Sequence, residues 1–305
     1  MSAIASQDRP AEPGSLPLRL RLAAAGLDGV TLLVLPAALG LVLLFVYPFL
    51  YGLVLSFEPK DGSALANYLK FFSTPFLSQT IATTLWIALP ATLINLGLAL
   101  PIAFRMRRSS RLQRLLTAVL VVPITLGTVL VAEGLLTYLG PQGWFNRILL
   151  DLHLVTAPVR LTHNYWGVLL SLVITGFPFA FLLILSYITG IDPVLAQAAA
   201  TLGAGPGERF RQIYLPLLAP GLAIAFCLAF VQAFSVFPSA VLLGAPAGPT
   251  RVISIAAYQA AFEEYDYSMA SAIAMIMAAV QLAVVVLVLG MRGVFYRGPA
   301  AGAKG

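Results

Sequence analysis

Hydrophobic positions along this chain come in long uninterrupted blocks rather than in alternation with polar ones. Residues 29–57, 71–104, 161–191, 212–250 and 267–291 contain no Asp, Glu, Lys or Arg, and each exceeds the ~20 residues that cross a bilayer as a helix. A sixth block, 115–132, stops at Glu133 and then runs on without charge to Trp144. The pattern predicts an all-α polytopic membrane protein with six transmembrane helices, at 29–56, 78–104, 115–138, 165–189, 218–243 and 267–290. Prolines fall inside several of these blocks, at Pro36, Pro48, Pro90, Pro101, Pro123, Pro178 and Pro238. In a bundle the freed carbonyls can find partners on neighbouring helices, so kinks are expected rather than breaks.

Composition removes the competing classes. Of 305 residues 60% are hydrophobic and 10% charged, where a soluble domain carries about 25% charged residues. One cysteine, Cys227, lies in the middle of an apolar block, which excludes an intramolecular disulfide framework and a cysteine metal cluster. The net charge of +6 does not point to nucleic acid, because the basic residues sit in short runs beside apolar blocks rather than on a soluble face with interleaved aromatics. No Gly-Lys pair occurs, so there is no phosphate-binding P-loop and the chain is not expected to hydrolyse ATP itself. Paired histidines and a Gly-x-Ser-x-Gly elbow are absent as well, and His153 and His163 fall in one connecting loop. No enzyme chemistry, cofactor or metal is expected.

The basic residues instead report topology. One side of the six-span scheme collects Arg9, Arg19, Arg21, Arg105, Arg107, Arg108, Arg111, Arg114, Arg209, Arg211, Arg292, Arg297 and Lys304, which is 13 of the 18 Lys and Arg; the other has only Lys60, Lys70, Arg147, Arg160 and Arg251. Lys and Arg concentrate on the cytoplasmic side, so both termini are predicted to be cytoplasmic, in a bacterial inner membrane. Trp144, Trp166 and Tyr267 lie near the outer boundaries, as an aromatic belt would. The run Ala23-Ala24-Ala25 precedes the first apolar block instead of following it, which predicts an uncleaved first helix. The domain scheme is a cytoplasmic segment 1–28, a six-helix domain 29–291 and a cytoplasmic tail 292–305.

The connection between the fourth and fifth spans, 190–217, is more than a return of the chain. Asp192 is a good N-cap, Pro193 suits the first helical position, and Ala196, Ala198, Ala199 and Ala200 favour helix. Gly203 can take the left-handed conformation that closes such a helix. After the Gly205-Pro206-Gly207 turn, Glu208 is expected to open a second short helix running towards Pro216. The result is a compact, Ala-rich, nearly uncharged knob whose small side chains suit burial against a partner. An amphipathic segment on the lipid surface is the bland alternative.

Within that loop Gln197-Ala198-Ala199, three residues, Gly203, nine residues, Ile213, one residue and Leu215-Pro216 resembles the EAA loop of ATP-binding-cassette importer permeases, with Gln197 standing where the motif usually has Glu. Tyr47-Pro48, Asn67-Tyr68, Trp166-Gly167 and Tyr267 to Ala274 are similar to type I importers of this superfamily. Trp144-Phe145-Asn146, Asp192-Pro193 and Arg251-Val252-Ile253 are most similar to spermidine/putrescine-type permeases, with sugar, glycerol phosphate and ferric-iron permeases as alternatives. The resemblance implies a solute pathway formed with a second permease subunit, identical or paralogous. It also implies a cytoplasmic ATPase dimer that receives Gln197, Ala198, Ala199, Gly203, Ile213, Leu215 and Pro216, and an external solute-binding protein. An ion-coupled secondary transporter is the alternative class; it would show internal repeats and more intramembrane charge.

Glu133 is the one charge inside a predicted span. An ionisable group there costs about 2.5–3.5 kcal/mol or more, so its default reading is a pathway or a paired interior site. Asn95, Gln232 and Ser235 are the other candidate pathway groups, each also able to serve as a hydrogen bond between helices. The charge asymmetry generates a direct prediction. Cysteines introduced at Ser63 and Glu264 react with an impermeant thiol reagent added outside the cell, and one at Ser110 does not; labelling at Ser110 would overturn the orientation.

Overall fold

The structure, a computed structural model, describes residues 29–107 and 110–295. The segment 1–28, Arg108 and the tail from residue 296 lie outside the described residues, and the expectations for the N-terminal segment and for most of the tail lie there with them. Two compact units divide at Val54 and Leu55. The first contains helix α1 (Gly29–Leu41), a π-helical stretch (Val42–Val46) and most of α2 (Tyr47–Ser56). Leu33, Val34, Leu35, Leu39 and Leu41 place apolar side chains on every side of α1, and a helix that is apolar all round requires an apolar surround.

The second unit runs through α3 (Ala66–Ser73), α4 (Pro75–Arg105), α5 (Arg111–Leu139), α6 (Trp144–Asp151), α7 (Tyr165–Thr189), α8 (Pro193–Thr201) and α9 (Pro206–Arg209). A π-helical stretch (Phe210–Tyr214) then leads into α10 (Leu215–Phe234), followed by α11 (Pro238–Leu242), α12 (Ile253–Tyr258), a π-helical stretch (Gln259–Glu263) and α13 (Tyr267–Phe295). No strand occurs among the described residues. Six helical stretches are long and apolar enough to cross a membrane. Helices satisfy every backbone group within their own segment, the condition an apolar medium imposes. At ~1.5 Å per residue α4 is about 46 Å long, more than the ~30 Å hydrocarbon thickness, so its ends reach past the apolar layer.

Helices α4, α7 and α10 form the centre, with α5 against α7 and α13 against α10. Two cores lie along this axis. One, at the Pro75 end of α4, packs Phe71, Ile87, Val168, Phe230, Phe234 and Ile273 together with the connection after α10; the other, at the Arg105 end, packs Ala103, Phe181, Ile184, Ile188, Tyr214 and Leu218. Small residues let the helices of the centre approach. A Cβ on Gly176 of α7 would stand 2.4 Å from Nδ2 of Asn95 on α4, and that same Nδ2 donates to the Leu172 carbonyl at 3.2 Å. Ser171 and Ser239 share a buried hydrogen bond of 2.8 Å.

Three features differ from the sequence expectation. The block 212–250 was expected to carry a span to residue 243, but the spanning helix stops at Phe234, and Pro238 instead opens the short helix α11. Proline cannot donate to the turn before it and suits a first-turn position, so the apolar block holds two elements. The expected second loop helix is not separate either: α9, the π-helical stretch and α10 are continuous from Pro206 to Phe234. Between α9 and α10 the five residues Phe210–Tyr214 take π geometry, which shifts the helical register without breaking the helix. Finally, α5 contains a break at Gly127, φ 75° and ψ 162°, four residues after Pro123.

The Pro75 end of the unit is stitched by polar side chains. Lys60 forms the one ion pair found among the described residues, 3.8 Å from Asp266, while Asp266 caps α13 by accepting from the Met269 amide at 3.0 Å. Asn67 donates to Ser268 at 2.7 Å. Asn146, fully buried, clasps the chain after α5 by donating to the Gly140 and Val159 carbonyls and accepting from the Val159 amide at 2.7 Å.

Candidate functional site

The loop between α7 and α10 folds as its residues dictate. The Asp192 carboxylate accepts from the Val194 amide at 2.8 Å, with Pro193 at the first helical position. Gly203 closes α8 at φ +88°, and the Ala204 amide donates back to the Ala199 carbonyl at 3.0 Å, the pattern of a left-handed helix stop. The next turn is fixed by Glu208, whose carboxylate accepts from the Gly205 amide at 2.9 Å.

This loop is bolted to the bundle. Ala196 of α8 is buried in the core that contains Tyr214, Ile188 and Met106. The Phe104 ring, on the last turn of α4, meets Phe210 and Tyr214 edge-on at 4.7 and 5.1 Å. Above it the Arg107 guanidinium lies 4.1 Å from the Phe104 ring centre and donates to the Phe104 carbonyl at 2.8 Å. Such a cation over an aromatic face contributes ~0.5–1 kcal/mol where exposed and more when desolvated. The opposite face of α8 is open: Val194 is 59% and Leu202 88% exposed, with Leu195, Gln197 and Ala198 beside them. Ala199 and Ile213 are half-buried, and Leu215 and Pro216 exposed. Helix α8 thus leaves an apolar, small-residue face uncovered among the described residues.

The candidate pathway residues fall into two groups. Asn95 is buried between α4 and α7, with its Nδ2 on Leu172 and its Oδ1 without a partner. Glu133, Gln232 and Ser235 are exposed on α5 and at the end of α10. Glu133 makes no ion pair among the described residues, and its backbone carbonyl accepts from Thr137. Beside Ser235 stands Gln281 of α13, which donates to the Ser235 hydroxyl at 2.8 Å; an amide inside an otherwise apolar span was the sequence signal for it. Of the spanning helices of the second unit α5 is the least buried and α7 the most. Glu133 therefore sits on the most open helix of the second unit.

Sequence reasoning missed the connection from 235 to 266. It turns back into the bundle: the Ile253 amide donates to Thr84 in α4 at 2.9 Å and the Ser254 hydroxyl to the Val236 carbonyl. Arg251 pins it, 7% exposed, with its guanidinium 3.8 Å from the Phe76 ring centre and donating to the Phe76 carbonyl and the Gln259 side chain. Burial lowers the basicity of Arg251, while Glu264 and Glu263 act in the opposite sense. An uncompensated buried charge costs ~3–5 kcal/mol, so the carbonyl, amide and ring are what hold this segment in place.

These features define an all-α polytopic membrane protein, in which an apolar bundle carries one structured helical loop at the Arg105 end of α4. The family model for the binding-protein-dependent transport system inner membrane component matches residues 95–298, and the chain belongs to that family. The chain is 32% identical over 197 residues to the spermidine/putrescine transport system permease protein PotB of Haemophilus influenzae, covering 62% of this chain and 68% of that protein. It is 30% identical over 181 residues to PotB of Escherichia coli, covering 59% and 66%. To the probable sulfate transport system permease protein cysT of Prototheca wickerhamii it is 29% identical over 177 residues, covering 58% and 67%. The matched stretches thus span about two thirds of these relatives. A chain of a bacterial alginate ABC transporter, solved in complex with an alginate pentasaccharide-bound periplasmic protein, superposes with a TM-score of 0.76 at 22% identity over 92% of this chain and 99% of that one. The fold is that of an ATP-binding-cassette importer permease, a transport component rather than an enzyme.

Gly203 supplies the site's prediction. A Cβ there would meet nothing within 4 Å, so Gly203→Val acts chiefly through the backbone, costing ~1–2 kcal/mol for a side chain held at positive φ. The variant reaches the membrane at normal abundance but loses most transport-coupled ATP hydrolysis; normal coupled hydrolysis would show that the closure of α8 is not needed.

Proposed function

We propose that this chain is the pathway-forming permease subunit of an ATP-driven, binding-protein-dependent importer of polyamines. Its termini lie in the cytoplasm and its 190–217 loop serves as the coupling element. In this reading α8 and the residues Gln197, Ala198, Ala199, Gly203, Ile213, Leu215 and Pro216 receive one subunit of a cytoplasmic ATPase dimer. The open face of Val194, Leu195 and Leu202 supplies the apolar contact. A second permease subunit, identical or paralogous, completes the pathway, and an external solute-binding protein delivers the substrate. Closure of the ATPase pair pushes α8, and the displacement passes through Ala196 in the Arg105-end core and through the Phe104–Phe210 and Phe104–Tyr214 ring contacts of the following stretch to α4 and α10 as a rigid-body movement.

The observation that carries the substrate class is Glu133, a carboxylate exposed on the open face of α5. Against apolar surroundings such a fixed charge acts over longer distances than in water. A polyamine presents several ammonium groups, for which a carboxylate without an internal partner is a fitting acceptor, with Gln232 and Ser235 as neutral polar groups on α10 and after it. The spermidine/putrescine relatives support the same class. The sulfate relative favours a second reading, an oxyanion importer, and a carboxylate facing the pathway opposes it.

Uptake of radiolabelled spermidine or putrescine, measured with membrane abundance, separates the two. Glu133→Gln lowers uptake at least tenfold, the loss of roughly one charge-assisted contact at about 1.4 kcal/mol or more, at unchanged abundance and unchanged affinity of the solute-binding protein. Polyamine uptake at the normal rate in the Gln variant removes Glu133 from the pathway. Uptake of sulfate but not of polyamine by the unaltered importer would establish the second reading.

A further inference from the structure

We infer that the chain binds the phosphate headgroup of an anionic phospholipid, in a groove between the Arg105 end of α4 and the start of α5. Two cavities meet there. A groove of about 630 Å³ is lined by Arg107, Gln113, Arg114, Thr117, Ala118 and Leu185. A wedge of about 340 Å³ lies behind α8, where Arg107 again forms a wall, now with Arg209, Gln197 and Tyr214. Both volumes fall in the ~300–1,000 Å³ range of small-molecule sites.

The chemistry of the walls selects the ligand. Three guanidinium groups line the pair of cavities, and no carboxylate does among the described residues. None of the three is ion-paired among the described residues. One donor of Arg107 goes to the Phe104 carbonyl; a guanidinium has five. An anion with several acceptor oxygens complements this set, and phosphate suits the planar fork of arginine.

The groove also has a direction. Arg107 and Arg114 mark one end, and Ala118 and Leu185 the other. The charge-free stretch of α5 begins at residue 115, so the groove straddles the boundary between headgroup level and apolar layer. A free phosphate would use only the arginine end. A phospholipid uses both, its phosphate at Arg107 and Arg114 and its acyl chains along the apolar end and the exposed face of α5, where Leu115, Val119 and Val122 lie open. On the orientation proposed above this is the cytoplasmic leaflet, where anionic lipids and basic interhelical pockets meet. Because Arg107 stacks on Phe104 and lies 5.3 Å from the Tyr214 ring centre, a phosphate held there also steadies the root of the coupling loop.

The test is lipid retention by the full-length chain, read by native mass spectrometry after extraction from vesicles of equal parts phosphatidylglycerol and phosphatidylcholine, so it does not depend on transport activity or on a partner. Phosphatidylglycerol is retained in preference to phosphatidylcholine. Each of Arg107→Gln and Arg114→Gln lowers that preference about fivefold, as expected for about 1 kcal/mol per arginine. Arg114→Lys, which keeps the charge, retains most of it, and Arg211→Gln, an exposed arginine outside both cavities, leaves it unchanged. Arg114 is exposed, so its substitution tests the site without disturbing the fold. An equal drop in all three Gln variants would show diffuse surface charge instead of a site. Full displacement of phosphatidylglycerol by millimolar inorganic phosphate would assign the site to a free anion, and retention unaffected by Arg107→Gln and Arg114→Gln would overturn it altogether.

Discussion

Close approach of α4 and α7 is the constraint on which the rest of the second unit depends. Between helices in an apolar medium there is no hydrophobic driving force, and association relies on tight packing of small residues and on interhelical hydrogen bonds. Ala88, Ala91, Ala99 and Ala103 on α4 and Gly176 and Ala180 on α7 are buried, and Asn95 uses the space that Gly176 leaves to reach the Leu172 carbonyl. Each functional end of the bundle is then anchored on α4. At one end Phe76 and Thr84 hold the 235–266 connection, and at the other Phe104 and Arg107 hold the loop that contains α8.

This arrangement gives the molecule two kinds of surface. The central helices are closed and rigid, whereas α5 and the outer face of α8 are open. The break at Gly127, φ 75°, lies in that most open helix, six residues before Glu133. A proposed pathway residue thus stands beyond a bend, while the proposed coupling helix meets the bundle through Ala196 and through the Phe210–Tyr214 stretch that follows it.

Much of this was legible in the sequence because the relevant physics is local or one-dimensional. Runs without charge gave the six spans, and Asp192, Pro193 and Gly203 gave both ends of α8, since capping depends on residues a few positions apart. What stayed hidden depends on contacts distant in sequence. The turn of residues 235–266 into the bundle relies on Thr84 and Phe76, about 170 residues away, so the apolar block through Leu243 read as one helix. The continuity of Pro206 to Phe234 relies on a π-helical register change that no residue type announces. Asn95 could be a pathway group or an interhelical one by type alone, and only its neighbours Leu172 and Gly176 decide its packing role.

The central claim is that α8 is a rigid, partner-seeking helix through which an ATPase drives the bundle. Leu202, 88% exposed at its end, offers the most direct measurement: affinity purification of the full-length chain from its native membrane, with ATPase activity and subunit content measured in the eluate. The unaltered chain brings an ATPase subunit with it. Leu202→Glu, which places a charge in the apolar contact without touching the bundle, reaches the same abundance in the membrane and brings little or none. An eluate without ATPase from the unaltered chain, or equal amounts from both, would contradict the account.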